Sequence, residues 1–198
     1  MFPLKRLFLY PLLPAFFLLS FTGAKGQAFY LGTHVASLGA GFMGSWPFAT
    51  TSNSPAVGLH YEHGIYEMSS GSAMGVGFYV GEKSLVWHKE LGDALWEESK
   101  WKYTFAGITG SYHYNAQSRL DPYLNVMLGM KMLKYTFIYS DPNHAPPGGP
   151  PSADYPKTSF AYQLSVGARY FFSNNIAAFL DAGYGFSYIT GGVTVKVF

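Results

Sequence analysis

Residues 159–188 read SFAYQLSVGARYFFSNNIAAFLDAGYGFSY, and every second one is apolar or aromatic on both sides of Ser173-Asn174-Asn175. A repeat of two belongs to β-strands, whose successive side chains point to opposite faces. One face carries Phe160, Tyr162, Leu164, Val166, Ala168, Tyr170 and Phe172, then Ile176, Ala178, Leu180, Ala182, Tyr184, Phe186 and Tyr188. The other carries Gln163, Ser165, Gly167 and Arg169, then Asp181, Gly183, Gly185 and Ser187. In a sandwich of two sheets the second face would meet bulk water and be rich in charge. Here it is small and mixed, and the chain as a whole is only 12% charged, against roughly 25% in soluble domains.

The same rhythm runs through the rest of the chain. Leu124, Val126, Leu128, Met130 and Met132 oppose Asn125, Gly129 and Lys131; Met74, Val76, Phe78 and Val80 oppose Gly75, Gly77 and Gly81; Val193, Val195 and Val197 oppose Thr194 and Lys196. Eight such runs are expected, near 28–38, 55–66, 72–90, 95–114, 121–139, 158–172, 175–188 and 191–198. Short connections (67–71, 115–120, 173–175) alternate with long ones (39–54, 140–157). A strand that crosses a bilayer must have both edges paired, so a β solution has to close on itself. The expected fold is therefore all-β: an eight-stranded antiparallel transmembrane up-and-down β-barrel with short periplasmic turns and longer extracellular loops. The apolar face meets lipid, and the polar face fills a narrow lumen in which glycines make room for larger side chains.

The first residues carry Lys5 and Arg6, an apolar stretch from Leu7 to Phe21, and then small residues. This is the layout of a cleaved secretory signal. Residues 1–26 are expected to be removed before Gln27, with a cut after Ala24 as the alternative, leaving 27–198 as the barrel. Taking Lys5, Arg6 and Lys25 from the 13 basic residues leaves 10 against 11 acidic ones. That near-neutral balance gives no reason to expect nucleic acid. The absence of cysteine rules out disulfides, zinc–thiolate sites and lipid attachment through an N-terminal cysteine.

DPYLNVMLG, VGARYFFSNNIAAFLDAGYG and the glycine-led last strand resemble the small outer-membrane β-barrels of Gram-negative bacteria, OmpA/OmpX-like in fold and similar to the Bacteroidota type. The resemblance covers Gln27–Phe198 and is strongest from Leu120 onward. It implies the outer membrane as the location, after export to the periplasm, with outer-membrane lipid and lipopolysaccharide as surroundings. It also implies a C-terminal signal read by the barrel-assembly machinery, onto which Thr190, Gly192, Val195 and Val197 fit. Phe198 extends one residue beyond that pattern, so either it or Val197 takes the last lipid-facing place. The family is functionally mixed and implies no single activity.

With the 39–54 loop centred, residue numbers on the first two strands pair to a sum near 94. His34 then faces His60, with Glu62 one pair below. Two histidines and a glutamate could bind a metal, but the preferred reading is a hydrogen-bonded lumen network, which a low dielectric makes close to obligatory, and no metal or cofactor is expected. Arg169 and Asp181 are diagonal neighbours across the Ser173–Asn175 turn. Together with Glu62, Lys131 and Lys196 they are read as internal salt bridges that plug the barrel. Eight strands leave too little room for an open pore. The chain is expected not to be an enzyme. The runner-up is a lipid A deacylase or acyltransferase, as in some barrels resembling this one, and a third reading is a subunit of an envelope or secretion assembly. His113 falls inward near the short-turn rim and His63 outward, and no stretch sets a serine beside a histidine locally.

The third to fifth strands exceed the 9–11 residues a membrane needs. Residues 83–100 are read either as a projecting hairpin turning near Gly92-Asp93 or as a short helix. Trp87, Trp96 and Trp101 are the candidates for contact with an unknown extracellular partner, or else for packing on each other or in headgroups. Tyr112, Tyr114, Tyr170 and Tyr188 suit an interfacial girdle. The Pro- and Gly-rich run 141–157 is expected to be an extracellular loop.

Overall fold

A computed structural model describes residues 28–42, 52–92, 95–114, 119–141 and 152–197. The expected signal segment, Phe198 and most of the two long loops lie outside the described residues. The described residues form nine strands: β1 (His34–Phe42), β2 (Ser52–Asn53), β3 (Ala56–Glu67), β4 (Ala73–Gly92), β5 (Leu95–His113), β6 (Leu120–Tyr139), β7 (Ser152–Phe171), β8 (Ile176–Tyr184) and β9 (Ile189–Lys196). Apart from the two-residue β2, which lies against β4 at Leu85 and Val86, they pair in sequence order, all antiparallel. β4 also joins β5, and β1 joins β9, so the ring of eight closes.

The two faces divide as the alternation requires, turned inside out relative to a soluble protein. Ile108 and Phe160 are each 71% exposed, whereas Glu62 and Arg169 are each 1% exposed. Leu38, Leu59, Phe78, Leu128, Leu164, Leu180 and Val193 continue the outward apolar belt around the ring. The interior accepts side chains because glycines vacate it. Gly107 and Gly129 face one another across β5 and β6. A Cβ on Gly129 would strike the Ala106 carbonyl and the Gly107 Cα.

Strand lengths are unequal. β1, β3, β8 and β9 have 9, 12, 9 and 8 residues, while β4–β7 have 20, 19, 20 and 20. At the long-loop end the four long strands rise past their neighbours as a projecting sheet. Residues 83–100 are a hairpin, with Val86 opposite Lys100 and Glu90 opposite Trp96, which settles the choice left open between hairpin and helix. Several boundaries differ from the sequence expectation: β1 runs on to Phe42 and β8 stops at Tyr184, and two strand starts move further. β7 begins at Ser152 and pairs with β6 from Ile138 onward, so residues 152–157 are strand rather than loop. Pro156 fits there because β8 pairs only with Leu164–Phe171, leaving Pro156 on an edge where no neighbour needs its missing N–H. β1 starts at His34, not near residue 28. The chain before it turns through Gly32, whose φ of 83° lies in the left-handed region, and the Thr33 hydroxyl accepts a hydrogen bond from the Tyr30 N–H at 3.1 Å.

Residues 28–33 consequently fold into the barrel's short-turn mouth, where Phe29 and Val35 pack with Ala73, and Ala28 packs with Phe171 and Ala177. At the other end Phe186 departs from its expected lipid-facing place. The backbone bends at Gly185 (φ 141°), and Phe186 is buried against Tyr79 and Phe105. Leu85, Tyr103, Phe105 and Met127 complete this apolar layer above the lumen.

Candidate functional site: the polar lumen

The charged interior lies at the short-turn end, and four strands build it. β3 contributes Glu62, β5 Ser111 and His113, β6 Asp121 and Tyr123, and β7 Arg169. All six sit on the inward parity of their strands. Arg169 Nη2 donates to Glu62 Oε2 at 2.5 Å, and Nη1 lies 3.5 Å from Asp121 Oδ2. His113 Nδ1 is 2.7 Å from Asp121 Oδ1, and Nε2 is 2.8 Å from Glu62 Oε1. The Ser111 hydroxyl donates to the same Glu62 oxygen. Ionised carboxylates only accept hydrogen bonds, so an imidazole bonded through both nitrogens donates from both and is positive. Two carboxylates, one guanidinium and one imidazolium then form a neutral group. Such internal compensation is what allows four charges to be buried together.

Aromatic rings close over the cluster. Phe29 stacks on His113 at 3.8 Å between centroids, and the Arg169 guanidinium lies 4.5 Å from the Tyr123 ring centre. Beyond the cluster, the Tyr123 hydroxyl donates to Asp181. His60 Nε2 meets Thr109 Oγ1 at 2.9 Å, and Ser37 meets Thr194 at 2.8 Å. His60, Tyr79, Asn125, Gln163, Arg169 and Asp181 line a cavity of about 30 Å³, a space suited to a very few water molecules. Asn125 Nδ2, Gln163 Oε1 and Arg169 Nε are buried beside it without partners among the described residues.

The structure brings some of the expected lumen residues together and separates others. Glu62 and Arg169 are direct ion partners. Asp181 is inward, but its hydrogen-bond partner is Tyr123, and Arg169 pairs with Glu62 and Asp121 instead. Lys196 is buried at the short-turn mouth, its Nζ 5.3 Å from the Tyr30 ring and 5.0 Å from the Phe171 ring. Lys131 is inward and half-buried above the cluster, on a rung with Phe105 and Ser159. His60 points inward opposite Ser37. His34 does not join the lumen. The first two full strands pair to a sum of 97, so His34 lies opposite His63, and Glu62 lies opposite Val35. Both histidines are on the outward face, because Val35, Ser37 and Gly39 take the inward positions. The constellation of His34, His60 and Glu62 is therefore not assembled. Among the described residues, no three His, Asp or Glu side chains are grouped to hold a metal.

The sequence places His113 inward but gives it no partner, and it does not single out Ser111 or Asp121. Their signal was their shared inward parity on either side of the 115–120 turn. Ser111, His113 and Asp121 fall in the hydroxyl–imidazole–carboxylate order of nucleophilic hydrolases, with Ser111 Oγ 3.1 Å from His113 Nε2. The hydroxyl is engaged by Glu62, all three side chains are buried, and Phe29 stacks on His113.

Trp101 stacks on Tyr135 at 5.3 Å between centroids and packs against the apolar layer. Trp87 is half-buried on the inward parity of β4. Trp96 has the outward parity of β5, with the His88 ring 5.5 Å away. At the last strand, Thr190 and Gly192 face inward, and Val195 and Val197 face outward.

A closed antiparallel ring with aliphatic side chains outside and compensated charges inside is a transmembrane β-barrel. The chain is similar in structure to the N-terminal β-barrel domain of Pseudomonas aeruginosa OprF, at 14% identity over 84% of this chain and 98% of that one, with a TM-score of 0.44. It is also similar to Ail, the attachment invasion locus protein of Yersinia pestis, at 11% identity over 83% and 94%, with a TM-score of 0.43. A de novo designed transmembrane β-barrel matches at 13% identity over 86% and 99%, with a TM-score of 0.37. No family model matches the chain, and no curated protein sequence matches it.

Proposed function

We propose that the protein is an integral barrel of a bacterial outer membrane, neither a channel nor an enzyme, that works through the sheet it presents outside the cell. The observation that carries this reading is the contrast between a lumen packed with side chains and the long strands β4–β7 that project beyond it. Residues 28–33 fill one mouth, the Glu62–Arg169 cluster fills the section above, and Phe186 with its aromatic neighbours covers the other side. β4–β7 continue well past the 9–11 residues that a bilayer uses, and their length needs a use in surface contact or envelope integrity.

On this reading, outer-membrane lipid and lipopolysaccharide surround the belt. The Thr190–Val197 pattern engages the barrel-assembly machinery during insertion, and Trp96, on the outward face of the projecting hairpin, is the tryptophan offered for contact, Trp87 lying on the opposite face. Replacing residues 87–98 by a short turn tests the proposal in whole cells. The trimmed protein is expected to insert normally while losing any adhesion, serum-survival or pull-down phenotype of the full chain. Unchanged phenotypes would remove the projecting sheet from the account. Extracted lipid A of unaltered mass after expression supports the non-enzymatic reading, and a change in acyl content would replace it with the lipid-modifying one.

A further inference from the structure

The lumen holds a second group of polar side chains that its ion pairs leave unmatched. Arg169 directs its two terminal nitrogens at Glu62 and Asp121, while its Nε has no partner among the described residues. Asn125 Nδ2 and Gln163 Oε1 are in the same condition. Arg169 is 1% exposed and Asn125 7%, so bulk solvent does not supply the missing partners. All three side chains, together with Asp181, line the cavity of about 30 Å³. Buried polar atoms left unpaired are costly, and each needs an account.

Glycines keep this space open. Gly39 and Gly58 face each other across β1 and β3 and form part of its wall. A Cβ on Gly39 would strike the Phe179 ring, and one on Gly58 the Tyr79 hydroxyl. Asp181 lies over Gly167, where a Cβ would strike its Oδ1, and the Tyr123 hydroxyl donates to that same oxygen. The atoms that need partners are of both kinds. Arg169 Nε and Asn125 Nδ2 are donors and would repel a cation. Gln163 Oε1 and the Asp181 carboxylate are acceptors and would repel an anion. A small molecule that both accepts and donates satisfies the whole set. Water does so, and the volume suits about two molecules.

We propose that the cavity is a water-binding site, in which ordered waters carry hydrogen bonds from Arg169 Nε and Asn125 Nδ2 to Gln163 Oε1 and Asp181. Arg169 and Asp181, which do not pair directly, are joined through this water. The charged cluster and the Tyr123–Asp181 pair then form one network, with water as a structural ligand of the barrel. The site stands on the lumen geometry and is independent of what the projecting sheet contacts.

The test is proton-detected solid-state NMR of the full chain refolded into phosphatidylcholine vesicles, with ¹⁵N-labelled arginine. The chain has Arg6, Arg119 and Arg169, so Arg6→Lys/Arg119→Lys leaves Arg169 as the sole labelled guanidinium. A manganese chelate in the buffer broadens exposed water, and protected water alone then gives a cross-peak to the Arg169 Nε–H. That cross-peak is expected in this parent chain, and it should be unchanged when sodium salt is replaced by choline salt. Asn125→Leu/Gln163→Leu, which removes a donor and an acceptor and fills the space with hydrocarbon, should lose it. Lys102→Gln, on the projecting sheet, should keep it. A folded parent chain without the cross-peak would overturn the proposal, and so would a cross-peak kept in the folded double variant. A cross-peak that disappears in sodium salt and returns in choline salt would reassign the cavity to a cation. Gel migration of unboiled samples reports folding separately. Where the double variant does not fold, Asn125→Leu and Gln163→Met should each weaken the cross-peak, and an undiminished one in both would equally overturn the assignment.

Discussion

Arg169 is the residue on which the interior turns. It is buried, it touches two carboxylates, and it lies between Phe29 and Tyr123. Removing one member of a buried ion pair leaves its partner charged and dry, which costs about 3–5 kcal/mol. Arg169→Met should therefore lower the stability of the refolded barrel by about that amount in urea titrations monitored by tryptophan fluorescence. Glu62→Gln should have a comparable effect, and Lys131→Met, outside the cluster, a much smaller one. The inward parity of Glu62 and Arg169 was legible from alternation alone, because a strand fixes which face each side chain takes. Their partners were not legible. Contact across a lumen depends on the stagger between strands that are not neighbours in sequence, and no local spacing encodes that stagger.

At the scale of the strands, register was the weak point of the sequence, and His34 shows why. The sum of 94 followed from centring the loop on residues 39–54, whereas β1 runs on to Phe42 and the observed sum is 97. An odd shift exchanges which parities face each other, so His34 moved from a partnership with His60 to one with His63. Gly185 had a similar effect on Phe186: a single bend at positive φ took an aromatic residue off the lipid face and buried it in the apolar layer with Tyr79 and Phe105. The central lipid-facing positions were secure, since no turn interrupts them. An arginine at mid-belt should cost about 2–4 kcal/mol. Leu164→Arg is thus expected to reduce folding into lipid vesicles by that margin in urea-dependent refolding yields, and Ser84→Arg, on the projecting part of β4, should leave them unchanged. The projecting hairpin carries its own pairs, Lys102 with Glu82 at 2.9 Å and Lys100 with Glu98 at 2.7 Å. The Lys102–Glu82 pair is exposed on both sides, so it contributes little to stability, and Lys102→Gln should not alter unfolding measurably.

For the whole molecule, the ring of eight strands separates two tasks. The belt and backbone closure suit a bilayer, and on the proposed reading a plugged lumen leaves the projecting sheet as the surface for interaction. The wild type should accordingly show no sustained conductance in planar bilayers; a steady open level would contradict a lumen plugged by Phe29 and Phe186. The claim beneath all of this is the inside-out arrangement of side chains. The native chain has no cysteine, so single cysteines can be introduced and spin-labelled without background. The most direct measurement is collisional relaxation of labels at Leu128→Cys, Leu164→Cys and Leu180→Cys, set against Ser165→Cys and Thr194→Cys, in lipid vesicles. The first three should relax strongly with oxygen and weakly with a water-soluble nickel chelate, and the last two should be shielded from both. Oxygen access at Ser165 and Thr194, with Leu128, Leu164 and Leu180 shielded, would contradict the account.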